Sequence, residues 1–313
     1  MTLRQPVGLV AVVAAASALL STTRARATYS ITAADTKTRE LGGAGASCVP
    51  YDVSKIYAGV PNRGAVNAQA EFDASALDYA AQRLSEGFDA HAVLAQVTSS
   101  AVFPRAPYMQ WGIVDVNGNL ARATGTNTMP FAGDLEGRTP DRRFAFTTQG
   151  NILTSARVLE RASAAFLSGS DAACDLAGRL MLALEAAGSM GEGDNRCTST
   201  GIPAKSAYLE VTGVNGSVFR VSTPDVSPND PTPIVRKAFD EYRAAHPCPT
   251  QPTSETPPSD ETPSTSSAGC ACSLPRAHGA PGAHLAFAAL AALATFAVLL
   301  AERRTRRRPR VRN

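Results

Sequence analysis

Histidine is nearly absent from this chain. There are four in 313 residues, and only His91 and His246 fall within residues 28–248. A Ser-His-Asp or Cys-His apparatus would have to use one of them. Both read as solvated residues, one in a helix and one at a helix edge. The chain holds no His-Glu-x-x-His, no Walker loop and no Gly-x-Gly-x-x-Gly. Gly42-Gly43-Ala44-Gly45 reads as a small-residue strand, and it does not lead from a strand into a helix as a phosphate loop does. No neighbouring Cys or His pair completes a metal set with Cys270-Ala271-Cys272. No internal repeat stands out. Metal, nucleotide and histidine-based chemistries therefore find little support, and neither metal nor cofactor is expected.

The apolar runs lie at the two ends. Arg4 precedes an uncharged stretch from Val7 to Leu20, and Ala25-Arg26-Ala27 offers a small-x-small cut. Residues 1–27 are thus expected to be an export signal removed by signal peptidase. An uncleaved anchor is the alternative, because arginines before such a cut are unusual. At the other end Leu285 to Ala301 is unbroken and apolar. Seven arginines follow, from Arg303 to Arg312. At 17 residues (285–301) the segment is near the short limit for a membrane span, and the arginines would hold the tail on the cytoplasmic side. They abut that segment and have no aromatic partners, so a nucleic-acid partner is not expected. Of the 30 basic residues ten lie in the two ends, as does one of the 27 acidic ones, which leaves 28–301 at −6. The basic balance of the whole chain describes its ends.

Ahead of the last apolar run, residues 249–268 are mostly Pro, Thr, Ser, Glu and Asp. They cannot bury a core and read as a solvated linker. Gly269-Cys270-Ala271-Cys272, the short apolar run and the arginine cluster together resemble the MYXO-CTERM sorting signal. That resemblance implies recognition by an intramembrane sorting protease, removal of the helix and tail, and display at the cell surface or outer envelope. A lipid on Cys270 or Cys272 is a further implication. A disulfide or half a metal site is the other reading of that Cys-x-Cys.

Residues 28–248 are one domain's worth of chain. Tyr29 to Ala34 alternates as a strand and Arg39 to Cys48 returns beside it. Gly64 to Ala70 is a third strand. Ala74 to Glu86, Ala90 to Val97, Thr154 to Leu167, Asp171 to Ala187 and Pro233 to Ala245 have helical spacing. Trp111–Val116 and Leu120–Thr124 flank Asn117-Gly118. Ala207–Thr212 and Val218–Ser222 flank Asn215-Gly216. Both are hairpin signals that call for positive φ. Phe144 to Thr148 is another strand. Strands in hairpins and helices in pairs argue for α+β with antiparallel sheets and against alternating βαβ units.

One nucleophilic route needs no histidine. An N-terminal Thr can attack a carbonyl with its own α-amine as the base, whose pKa of about 8 lies close to neutral pH. A cut after Ala27 leaves Thr28 as the first residue, at the head of the first strand. The other reading is that Thr28 is simply a residue that favours strands.

Several segments, in order, resemble the domain of unknown function 1028 family. They are Thr28-Tyr29-Ser30-Ile31 with Asp35 and Glu40-Leu41-Gly42, then Gly64-Ala65-Val66 with Gln69-Ala70. Gln110-Trp111-Gly112-Ile113-Val114-Asp115 follows, with Gly118 and Thr124-Gly125. Gln149-Gly150-Asn151-Ile152-Leu153 comes next, then Gly193-Asp194 with Arg196, Ser206-Ala207, Arg220-Val221, Asp230-Pro231 and Pro233-Ile234. The likeness spans about residues 28–245.

It implies an αββα four-layer sandwich of the N-terminal-nucleophile (Ntn) hydrolase kind and an amidohydrolase with Thr28 as nucleophile. On that view Gln149 or Asn151 stabilises the oxyanion. Gln69, Asp194, Arg196, Lys205 and Ser206 become candidate substrate contacts, with Asp194 holding Arg196. The family's Gly-Arg-Gln-Ser-Ala stretch is replaced here by a longer segment that contains Cys197 and ends in Ala204-Lys205-Ser206-Ala207. That departure bears on specificity or on activity itself. The substrate is an unidentified amide or peptide-like molecule, and the competing reading is a surface module that keeps the fold without the chemistry.

Cys48, Cys174, Cys197 and Cys248 are an even set in an exported domain. They suggest two disulfides with three possible pairings. A bond from Cys197 to Cys174 or Cys48 would pin the departing segment. The oligomeric state is not legible.

Overall fold

The first strand sets the plan. In the computed structural model, which describes residues 28–169 and 173–248, β1 (Thr28–Asp35) alternates Thr28, Ser30 and Thr32 with Tyr29, Ile31 and Ala33. Successive side chains of a strand point to opposite faces, so β1 presents one polar and one apolar face. It pairs antiparallel with β2 (Glu40–Ser47) on one side and β8 (Phe144–Asn151) on the other. With β7 (Gly133–Arg138), β9 (Ser206–Gly213) and β10 (Gly216–Thr223) these make a six-stranded sheet in the order β10-β9-β2-β1-β8-β7. A second antiparallel sheet runs in chain order: β3 (Tyr57–Val60), β4 (Gly64–Ala70), β5 (Met109–Asp115) and β6 (Leu120–Thr124). The two sheets face each other, with β1 against β4 and β5, and β5 against β8.

Helices cover the outer faces. α1 (Ala74–Ser85) and α2 (Ala90–Val97) set Leu77, Leu84, Val93 and Val97 against Val66, Trp111 and Ile113 of the smaller sheet. α3 (Arg157–Ser168), α4 (Leu176–Ala187) and α6 (Thr232–Ala245) set Leu159, Phe166, Leu180 and Phe239 against Tyr29, Ile31, Phe146 and Leu209 of the larger one. α5 (Asn195–Thr198) is a single turn. A third apolar cluster, with Ala34, Leu41, Tyr57, Val114 and Tyr208, joins residues of both sheets. This is an α+β fold of two antiparallel sheets with helices, as the hairpin and helix patterns predict.

The differences have local causes. The helix expected from Asp171 begins at Leu176, because Asp175 is its N-cap and accepts from Gly178 N–H at 2.9 Å. The helix expected from Thr154 begins at Arg157. Neither Asn of the two Asn-Gly pairs takes positive φ. Only the glycines do, Gly118 at 81° and Gly216 at 116°. Around Gly118 the loop is tied by Asp115, whose Oδ1 accepts from the N–H groups of Asn117 and Asn119 at 2.9 and 3.0 Å. Sequence patterning misses β3 and β7, edge strands with little alternation.

The small-residue stretch in β2 is a strand. Its Gly43 has no alternative, since a Cβ there would collide with the ring of Tyr57. Disulfides join Cys48 to Cys197 and Cys174 to Cys248. The first pins the segment that departs from the family pattern. The signal, the linker, Cys270, Cys272, the apolar run 285–301 and the arginine tail lie outside the described residues. Among the described residues no helix is long and apolar enough to cross a membrane.

Candidate functional site

The polar face of β1 meets an unusual partner. Two facing sheets ordinarily interdigitate apolar side chains. Here the layer between them is polar where β1, β4, β5 and β8 meet. Gln69, Gln110, Gln149, Ser30, Thr32 and Asn67 are at most 5% exposed. A buried amide without partners is costly, and these bond to one another, with Gln149 Oε1 left unpaired. Gln149 Nε2 donates to Ser30 Oγ at 2.6 Å, and Ser30 Oγ donates to Gln69 Oε1 at 2.6 Å. Gln69 Nε2 donates to the Thr28 carbonyl at 3.0 Å and to Gln110 Oε1 at 3.1 Å. Gln110 in turn holds the Gly150 carbonyl at 2.8 Å. The chain of amides runs from the middle of the layer to one residue, Thr28.

Thr28 heads β1 and is 3% exposed. Its Oγ1 donates to Ser47 Oγ at 3.1 Å, and in the sheet it stands opposite Asn151. It lines a cavity of about 260 Å³ together with Ser47, Gln69 and Ala70. Apolar side chains of Val49, Tyr51, Val53, Ile56 and Phe72 form much of the rest of the wall, and exposed Lys55 adds a cation. Lys55 forms no ion pair among the described residues. A second cavity of about 240 Å³ shares Ala70 and is lined by Asn151, Asn127, Thr128 and Glu71. Ala70 has φ of 69° and Ile152, next to Asn151, has φ of 51°. Non-glycine residues in this region cost about 1–3 kcal/mol each and cluster at functional sites.

The other residues singled out in the sequence fall into two groups. Gln69 and Asn151 join Thr28 at the two cavities. Gln149 stands behind, fully buried between the sheets, and reaches Thr28 only through Ser30 and Gln69. Gly112 opposite must lack a side chain, because a Cβ there would collide with the Gln149 amide. Asp194 is fully buried and holds the guanidinium of Arg196 through both carboxylate oxygens, at 3.1 and 2.8 Å. It also caps α5 and accepts from Cys48 N–H at 2.6 Å. The Asp194–Arg196 pair thus braces the chain beside Ser47. Lys205 N–H donates to the Ser47 carbonyl at 2.9 Å, and Ser206 Oγ to the same oxygen at 3.4 Å. None of Gln149, Asp194, Arg196, Lys205 and Ser206 is among the residues lining the Thr28 cavity.

Sequence reasoning misses Ser47, Gln110, Lys55 and Ala70. Alternation along β2 could have marked Ser47 as facing the second sheet. Nothing local marks Lys55, which arrives on the single turn of 3₁₀-helix Val53–Ile56. Burial pushes the phenols of Tyr29, Tyr57 and Tyr208 well above their usual range. They stay neutral and serve as packing. Tyr208 OH donates to Asn67 Oδ1 at 2.6 Å. No group of three His, Cys, Asp or Glu among the described residues could hold a metal ion.

Fold and site together define an α+β protein in which two antiparallel sheets enclose a polar layer that ends at a threonine lining a cavity. The chain belongs to the DUF1028 family, a family of unknown function whose model matches residues 28–233. The crystal structure of a DUF1028 protein from Silicibacter pomeroyi matches with a TM-score of 0.57 at 22% identity, over 69% of this chain and 89% of that one. At that identity the likeness is one of fold. No curated protein matches the chain.

Proposed function

We propose that this protein is an exported, surface-anchored Ntn-type amidohydrolase with Thr28 as its nucleophile. Signal peptidase would cut after Ala27, and a sorting protease would process the C-terminal segment. The two sheets with helices outside them would then be the αββα sandwich of that class.

The observation that carries this reading is the place of Thr28. The residue that the expected cut makes first is also a residue that lines the cavity of about 260 Å³. In the proposed reaction Thr28 Oγ attacks an amide carbonyl, and the Thr28 α-amine takes the hydroxyl proton. The amine product leaves with a proton, and an ester remains on Thr28 Oγ. Water hydrolyses the ester, releasing the acid and restoring the hydroxyl. Asn151, opposite Thr28, is the side chain best placed to stabilise the oxyanion, an effect worth about 3–4 kcal/mol in comparable sites. Gln149, Ser30 and Gln69 act as positioning residues that fix the Thr28 backbone. Ser47 accepts the hydroxyl proton's hydrogen bond in the resting state and so orients Oγ.

N-terminal sequencing and intact mass of the protein recovered from the cell surface test the reading first. The expected result is a chain beginning at Thr28 with a free amine, and loss of at least 1,000-fold in amide cleavage for Thr28→Ala. A chain that begins elsewhere, or is blocked, removes the mechanism and leaves a non-catalytic binding module.

A further inference from the structure

The two cavities differ in chemistry, and they meet at the residues that would react. Ala70 lines both; Thr28 lines one and its sheet partner Asn151 the other. Together they fall within the roughly 300–1,000 Å³ of small-molecule sites.

The Thr28 lobe has an apolar wall of Val49, Val53, Ile56 and Phe72, with Thr28, Ser47 and Gln69 on its polar side and the Lys55 ammonium as its cation. Such a lobe suits an apolar side chain that carries an anion beside it. The Asn151 lobe offers hydrogen-bonding side chains in Asn127, Asn151, Thr128 and Tyr108, beside the apolar Met129. It also holds Glu71, whose carboxylate is already paired with Arg105. That pairing removes the reason to attract a cation, so this lobe suits a neutral polar side chain. An amide that bridges the lobes therefore joins a polar residue to an apolar one that bears a carboxylate.

We infer that the site takes short peptides ending in an apolar residue with a free carboxylate and preceded by a neutral polar residue. This rests on the reading of Thr28 as nucleophile for the bond that is cut, which is the last peptide bond. Thr28 Oγ takes the acyl group of the polar residue, the apolar amino acid leaves as the protonated amine product, and water cleaves the ester.

Binding and cleavage are measured apart. Calorimetry uses the exported protein carrying Thr28→Ala, with N-acetyl-Gln-Phe, its C-terminal amide and N-acetyl-Gln-Gly as probes. The free acid should bind about fivefold tighter than the amide, the scale of an ion pair to an exposed ammonium. The Phe probe should bind at least tenfold tighter than the Gly probe, as burial of one ring requires. Lys55→Met should level the acid and the amide, while Lys55→Arg keeps the difference. Equal binding of acid and amide, equal binding of Phe and Gly, a preference that survives Lys55→Met, or no binding at all would each overturn the assignment. If these preferences hold and the unsubstituted protein leaves N-acetyl-Gln-Phe intact, the peptide site stands and the hydrolase reading falls.

Discussion

Thr28 is held from three sides, and its neighbours show how a single residue can depend on a buried layer. Gln69 uses both amide hydrogens, on the Thr28 carbonyl and on Gln110, while its oxygen accepts from Ser30. Leucine has nearly the shape of glutamine and none of its polarity. Gln69→Leu would leave the Ser30 hydroxyl, the Gln110 oxygen and the Thr28 carbonyl short of partners in a buried layer. Each such group costs about 1–3 kcal/mol, so the variant is expected to lose about 3 kcal/mol in urea unfolding. An unchanged midpoint would show that the amide chain contributes little. At this scale Thr28 and Asn151 could be named from the sequence, because one follows an expected cleavage site and the other lies in a family segment. Lys55 could not, since it enters on a 3₁₀ turn whose place is set by packing against β9 and β2.

Element bounds are legible in the sequence where the side chains are committed to a core. β4 and α2 match their expected bounds residue for residue, because alternation in one and helical spacing in the other match the side of the sheet they occupy. Where β3 and β7 lie on sheet edges the signal is weak, since fewer side chains are committed to a core. The disulfides act at this scale too. Cys48 ends the segment that carries Ser47, and Cys197 sits on α5 beside Asp194. Their 149-residue separation gives a chain-entropy stabilisation of up to about 5 kcal/mol. Replacing both by serine is expected to lower the thermal midpoint markedly, and reductant should then have less further effect. Scanning calorimetry with and without reductant checks this; equal midpoints for parent and variant would sink it.

The whole molecule carries its own pH dependence. The Thr154 and Ser155 hydroxyls hold the Glu192 carboxyl below its ordinary value of 4.5. Hydrogen bonds from neighbouring residues likewise lower Asp73, Asp141 and Asp225 below 3.8. A carboxyl lowered in the folded state adds stability that is present above its unfolded value and lost as pH falls through the folded one. Burial raises Glu40 and Glu210 above 4.5, so their ionisation takes back part of that gain as pH rises past it. The urea midpoint should therefore fall as pH drops below about 4.5, and Glu192→Gln should flatten that limb. A limb of unchanged slope in the variant would assign it to other carboxyls.

The sequence by itself determined the α+β class, the strand and helix faces, the even set of cysteines and the family, because each is written in local spacing or in segments kept in order. Only the tertiary structure decided which cysteines pair. It also decided that the layer between the sheets is polar where β1, β4, β5 and β8 meet, and that Thr28 shares a cavity with Lys55 while Gln149 stands behind it. Those facts depend on which residues meet across two sheets and a turn far apart in the chain, and no local pattern records such a meeting.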